Sequence, residues 1–265
     1  MNKFYIQTAL FLLSIFAYAN NEILATEPAP GEDAKPQLRS RYPTPEEVYE
    51  QNKHLLCTNP NEINNAEKLM NKAVKQLEYH ATSKDGYEPY VQNHGDGISY
   101  YIKKFDDQTN IIKVHLNIYA ANQYNAIINR LWDPDSPNIF NNGDVKIFRV
   151  YNPNLILVQQ RFKKKLGRRQ KYFNALVGKF EISEGKTIIA MTSSNTTNKK
   201  HSNIIHENPI LKNTYSFTIP TYPKYYDNSC ESAQVFVDLA GYLIEKKGDD
   251  LEITYIESIE GYSSI

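Results

Sequence analysis

Seven cations fall within eleven residues: Arg161, Lys163, Lys164, Lys165, Arg168, Arg169 and Lys171. Such a density has two uses. It is the solvated end of a strand and its loop, or it docks the chain on anionic lipid headgroups, where each cation contributes roughly 1 kcal/mol. Lys163, Lys164, Lys165, Arg168 and Arg169 are the candidate docking set. Nucleic acid is a poorer partner. The 265 residues carry 30 Lys+Arg against 30 Asp+Glu, a formal net charge of zero, whereas nucleic-acid binders carry a basic excess.

Other chemistry is present only as fragments. Gly185-Lys186-Thr187 has the tail of a phosphate loop, but Phe180 stands where the first glycine belongs, so the segment is read as a hairpin turn. His201 and His206 lie in a polar stretch without cysteine partners and make a poor metal site. Asp133 and Asp135 resemble the start of a calcium loop, which Pro137 and the missing twelfth-position Glu spoil. No G-x-S-x-G surrounds a serine. The expectation is a protein without metal, cofactor or catalytic constellation. Cys57 and Cys230 are a candidate disulfide, because a secreted chain is oxidised.

Secretion is itself read from the N-terminus. Lys3 precedes a mostly apolar run ending in Ala17-Tyr18-Ala19, the pattern of a signal peptide over residues 1–19. Residues 20–43 read as a disordered linker; five of the 13 prolines fall between Pro28 and Pro45. Residues 44–265 read as one domain.

The elements of that domain follow from caps and periodicity. Thr44-Pro45-Glu46-Glu47 is a capping box with proline at the first helical position, opening a short helix through about Leu56. Asn59 caps a second helix whose Ile63, Ala66, Met70, Ala73, Val74 and Leu77 share a face. Ile112, Val114, Leu116 and Ile118 alternate with Lys113, His115 and Asn117 as a half-buried strand, entered through a turn at 106–110. Ala121, Tyr124, Ile127, Ile128 and Leu131 give a third helix that stops at Asp133-Pro134. Strands are expected over 145–151, 155–162, 172–182 and 187–191, with a final hairpin of 234–246 and 251–259. The sum is an α+β domain with a curved, mainly antiparallel sheet.

This order of elements resembles the lipid-transfer START domain. More closely, the chain resembles the fam-a proteins of rodent malaria parasites (Plasmodium), a family of secreted and exported START-like proteins. The tracts that carry the likeness are Tyr42-Pro43-Thr44-Pro45-Glu46-Glu47-Val48-Tyr49, Asn52-Lys53-His54-Leu55-Leu56-Cys57 and Asn129-Arg130-Leu131-Trp132-Asp133-Pro134. Arg169-Gln170-Lys171-Tyr172-Phe173, Glu181-Ile182-Ser183-Glu184 and Leu239-Ala240-Gly241-Tyr242-Leu243-Ile244-Glu245-Lys246-Lys247 extend it, so that it covers roughly residues 42–260.

The resemblance implies a helix-grip fold, in which a curved sheet encloses an apolar tunnel for one lipid, and it implies phosphatidylcholine as ligand. It also implies a headgroup site at Arg130, Trp132 and Asp133. The family's Arg stands one residue farther from its Trp-Asp pair. Lys171-Tyr172-Phe173 likewise stands where the family has Arg-Asp-aromatic, so an acid is replaced. Independently of kinship, aromatic faces hold a quaternary ammonium at ~0.5–2 kcal/mol per contact, and Trp132 with the 20 tyrosines supplies such faces. The family closes its tunnel with a long C-terminal amphipathic helix. The expectation here is a domain without it, since Ile265 follows the last predicted strand by six residues.

Two functions are therefore expected in order. The first is non-enzymatic binding and transfer of a phospholipid. The alternative is an exported host-interaction protein that kept the fold and lost the ligand. The family's destinations are the parasitophorous vacuole and the host cell. Glu22-Ile23-Leu24-Ala25-Thr26 keeps the Leu of an export pentamer but has Glu in place of the basic residue.

Overall fold

The computed structural model describes residues 41–91, 97–106, 109–136, 143–164, 166–167, 169–193, 195–197, 206–212, 218–220 and 232–259. Helix α1 (Pro45–Gln51) opens with the capping box expected of it. The Glu47 amide donates to Thr44 Oγ1 at 3.3 Å, and Glu47 Oε2 accepts from the Thr44 amide at 2.8 Å. A 3-10 turn (Lys53–Leu55) continues the chain. Helix α2 (Pro60–Thr82) follows, capped by Asn59, whose side chain accepts from the amides of Asn61 and Glu62.

The strands described first are β1 (Glu88–Val91), β2 (Ile98–Lys104) and β3 (Asn110–Ile118). A 3-10 turn (Ala121–Gln123) leads into α3 (Tyr124–Trp132). There follow β4 (Gly143–Asn152), β5 (Leu155–Phe162), β6 (Gln170–Ser183) and β7 (Lys186–Ser193). The short strands β8 (Asn195–Thr197), β9 (Thr218–Pro220) and β10 (Ser232–Gln234) precede the closing hairpin of β11 (Val237–Lys247) and β12 (Asp250–Ile259).

The main sheet runs β1-β2-β3-β12-β11-β7-β6-β5-β4, with every neighbour antiparallel. β10 adds to β6 in parallel, and β8 pairs with β9 apart from the main sheet. The closing hairpin thus returns to the middle of the sheet, between β3 and β7, and is covered on both faces. That explains why β11 reads as a nearly continuous buried run from Val237 to Ile244.

One face carries α2. Ala66, Leu69, Met70, Ala73, Val74 and Leu77 pack on Leu155, Leu157, Leu176, Ile188, Leu239 and Leu243. Each fully buried Leu, Ile or Met among them contributes about 1.5–3 kcal/mol. The approach is close enough to dictate a glycine. A Cβ on Gly241 would lie 2.0 Å from Ile189 O and 2.8 Å from Leu77 Cδ1, at a φ of +142°. The opposite face, called inner below, carries α3 and α1. Its core joins Ile127, Ile128, Leu131, Trp132 and Val48 to the inward residues of the strands, among them Val114, Val158, Phe173, Tyr242, Ile253 and Tyr255.

One expectation from periodicity needs correction. Lys113 was expected to point to solvent on the polar side of its strand, but it is buried. That side lies beneath the end of α2, where Lys113 Nζ donates to the backbone oxygens of His80 and Ser83. The ammonium satisfies carbonyls left over at a helix C-terminus and complements its dipole.

Candidate functional site

Helix α3 crosses the inner face. It is pinned at its start by the Ala121 amide donating to Asp249 O at 3.1 Å and by the Tyr124 hydroxyl donating to Thr187 Oγ1 at 2.8 Å. Its last turn delivers Arg130 and Trp132, and Asp133 is its C-cap. All three are buried. The carboxylate of Asp133 organises the turn that follows, accepting from the Asp135 amide at 3.0 Å, while the Ser136 amide donates to Asp133 O at 3.0 Å. The Arg130 guanidinium lies 5.7 Å from the centroid of the Tyr42 ring. The Trp132 indole Nε1 is buried, with no hydrogen-bond partner among the described residues.

The three residues expected from resemblance do meet at one helix end, but they divide between two environments. Asp133 lines a groove of about 620 Å³ with Arg41, Glu47, Val48, Val145 and Ile147. Arg130 and Trp132 are not part of that lining. Trp132 packs in the core of the inner face, and Arg130 lies beside the Tyr42 ring, close enough to Tyr242 for its charge to act on that phenol. The strand register places the groove. Val145 stands opposite Gln160, and Gly143 opposite Phe162, so the groove opens at the end of the sheet where β5 turns into β6.

Beneath α3 lies a polar cluster. Tyr242 on β11 stands opposite Tyr255 on β12, and Ala240 stands opposite Glu257. The two tyrosine rings are 5.1 Å apart and inclined at 37°. The Tyr255 hydroxyl donates to Glu257 Oε2. Burial pushes the Glu257 carboxyl up to about 7, with the Tyr255 hydrogen bond opposing the shift. Burial also pushes the Tyr242 phenol far up; the charge of Glu257 adds to the shift, and that of Arg130 opposes it. Among the described residues the Tyr242 hydroxyl has no hydrogen-bond partner.

Glu257, Tyr255 and Tyr242 were missed in the sequence. Their signal is positional. Leu251, Ile253 and Tyr255 point inward at a period of two, and Glu257 takes the next inward place, where an acid breaks the apolar pattern.

The remaining candidates are placed as follows. Lys163, Lys164 and Arg169 are exposed around the β5–β6 connection, together with Leu166, which is fully exposed. Lys165 and Arg168 lie outside the described residues. Cys57 is buried with its sulfur 3.7 Å from Arg149 Nη1; Cys230 lies outside the described residues, and the proposed pairing with it. His201 is likewise outside them. His206 Nε2 sits 2.6 Å from Asp238 Oδ1, and its ring stacks on Phe236 at 4.4 Å. Ser258 donates to the other Asp238 oxygen at 3.4 Å. The acid therefore stands between serine and histidine, which is not the serine–imidazole–acid order of a hydrolytic triad. Gly185 is the positive-φ residue of the β6–β7 turn, and Lys186 pairs with Glu78 at 2.8 Å, which accounts for the apparent phosphate-loop fragment.

A scan against protein-family models finds no match, and no curated protein matches the chain. Solved structures do match its architecture. Human StAR-related lipid transfer protein 5 superposes with a TM-score of 0.50 at 13% identity, over 76% of this chain and 84% of that one. The fold is START-like. Human STARD10 superposes with a TM-score of 0.49 at 12% identity, over 72% of this chain and 67% of that one. In this START-like fold α2 backs the sheet, and α3 lies across the inner face above the Tyr242–Glu257 cluster.

Proposed function

We propose that this protein binds a phospholipid, phosphatidylcholine, between α3 and the inner face of the sheet, and carries it between membranes without chemical change. The observation that carries the reading is the end of α3. It buries a guanidinium, an indole and a carboxylate together beside the inner sheet face, whose lining is mostly apolar apart from polar groups such as the Tyr242–Glu257 cluster. Arg130 receives the phosphate as a charge-assisted hydrogen-bond donor, and the Trp132 face receives the ammonium. A START-like fold shared with a protein named for lipid transfer supports the reading, as does the resemblance of residues 42–260 to fam-a proteins. On this reading Lys163, Lys164, Lys165, Arg168 and Arg169 meet anionic headgroups while Leu166, at the same tip, enters the apolar layer. The protein acts after secretion, in the vacuole or the host cell.

Native mass spectrometry of the purified protein tests the proposal. A co-purified phospholipid is the expected result. One observation favours the alternative of an interaction protein that has lost its ligand: Val237, Ile253 and Tyr255 on the inner face are at 0% exposure, covered by the protein's own atoms. An empty protein that also takes up no phosphatidylcholine from vesicles would establish that alternative.

A further inference from the structure

A buried hydroxyl without a partner forfeits its hydrogen bond to water and receives nothing in exchange. Among the described residues Tyr242 is in that state, at 4% exposure. Its surroundings narrow what would satisfy it. The phenol keeps its proton, because burial disfavours the phenolate, so the hydroxyl offers a donor. A matching ligand group must be an acceptor. Glu257 on β12 and Arg130 on α3 both lie close enough for their charges to act on this hydroxyl. Tyr255, on Glu257's own strand, occupies one carboxyl oxygen and leaves the other for the proton. The walls are hydrocarbon: Ala240, Ile244 and Ile253 belong to the same inner-face core. An anionic acceptor placed against the Glu257 carboxyl would raise the price of burial for both. An uncharged oxygen attached directly to a hydrocarbon chain fits all of these conditions.

We propose that Tyr242 and Glu257 hold the acyl ester carbonyl of the bound lipid, entering between α3 and the sheet beside the phosphate that Arg130 receives. The assignment rests on the phospholipid reading above and names the part of the lipid that is recognised. Tyr242 donates its hydroxyl hydrogen to the carbonyl oxygen. The neutral Glu257 carboxyl donates to the same oxygen, with Tyr255 fixing its orientation. The site therefore selects lipids whose chains are joined by esters. Ether-linked chains have no carbonyl to offer.

The test compares diacyl phosphatidylcholine with its dialkyl ether analogue as vesicle-to-vesicle cargo, using the full chain, Tyr242→Phe and Glu257→Gln. The parent should transfer the diacyl lipid about 25-fold faster, the worth of two hydrogen bonds of about 1 kcal/mol each. Tyr242→Phe removes one of the two donors, leaves the ring, and should reduce the preference to about fivefold. Glu257→Gln keeps a neutral donor and should retain the preference, and it serves as the second variant should Tyr242→Phe unfold. A parent that moves both lipids equally, or a Tyr242→Phe variant that keeps the full preference, overturns this assignment and leaves lipid transfer standing. A parent that moves neither overturns both.

Discussion

Arg149 on β4 reaches both carboxylate oxygens of Glu62 in the first turn of α2, with Nη1 at 2.9 and 2.8 Å. The Tyr151 hydroxyl donates to the same carboxylate at 3.0 Å. The pair is nearly dry, with side-chain exposures of 14% and 5%. It ties the helix on the outer face to the edge strand whose Val145 and Ile147 line the groove. Removing one partner of a buried pair leaves the other charge uncompensated, at about 3–5 kcal/mol. Arg149→Met should therefore lower stability by roughly that amount in urea unfolding. Glu62→Gln with Arg149→Met should recover part of the loss. Additive losses in the double variant would mean that the two groups act separately.

The pair is also invisible to local sequence patterns. Its members are 87 positions apart, and no local pattern joins them. Local rules did locate α1 and α2, because Thr44 and Asn59 cap helices through contacts within three residues. They also located the closing hairpin, because Lys247-Gly248-Asp249-Asp250 separates two runs of strand formers. The parallel addition of β10 to β6 was not legible, since Ser232–Gln234 is too short to show a period. The burial of Lys113 is hidden from the sequence for a different reason. The period of a strand gives the face on which a side chain lies but not what covers that face. Of the candidate site, Arg130, Trp132 and Asp133 were found by resemblance, while Glu257 and Tyr242 became visible only when the register of β11 and β12 set them beneath α3.

Glu257 gives stability a pH dependence with a definite sign. Its carboxyl is pushed from an ordinary 4.5 to about 7 in the folded protein. The folded state then holds the proton more tightly than the unfolded one. The contribution is complete below pH 4.5 and is lost as pH rises through 7, on the order of 3 kcal/mol in all. His80 works in the other direction. Burial, with the nearby charges of Lys103 and Lys113, pulls it down to about 4 from 6.5, so its contribution is lost as pH falls through that interval. Glu257→Gln isolates the first effect. Relative to the parent, the variant should gain stability steadily between pH 5 and pH 7, measured by urea midpoints. Parallel curves for the two proteins would remove Glu257 from the account.

The exposed tip of the β5–β6 connection should govern membrane association. Lys163, Lys164 and Arg169 are exposed there beside Leu166. Replacing Lys163, Lys164, Lys165, Arg168 and Arg169 by Gln should weaken sedimentation with anionic liposomes. The loss should be greatest at low salt, where the screening length is long. Leu166→Ser should weaken binding at every salt concentration, because burial of an apolar side chain is not screened. Unchanged binding by the five-fold variant at all ionic strengths would return these cations to the role of a solvated strand end.

The end of α3 admits the sharpest separation of folding from function, because its three residues make different contacts. Trp132 is packed in the inner core, so Trp132→Ala should cost about 3–5 kcal/mol of stability along with lipid affinity. Asp133 accepts from the Asp135 amide. Asp133→Asn keeps that acceptor oxygen and should fold like the parent, so any loss of transfer reports the missing charge at the groove. Arg130 lies buried at a helix C-terminus, where a cation is favourable by up to ~2 kcal/mol. Arg130→Met should lower stability modestly and should selectively lower transfer of phosphate-bearing lipids, because a buried phosphate would lose its charged donor. Purely structural roles predict instead that transfer falls only in step with stability. Thermal unfolding measured beside vesicle-to-vesicle transfer for each variant distinguishes the two accounts. Parent-like phosphatidylcholine transfer by both the Asn and the Met variants would remove the headgroup from this helix end.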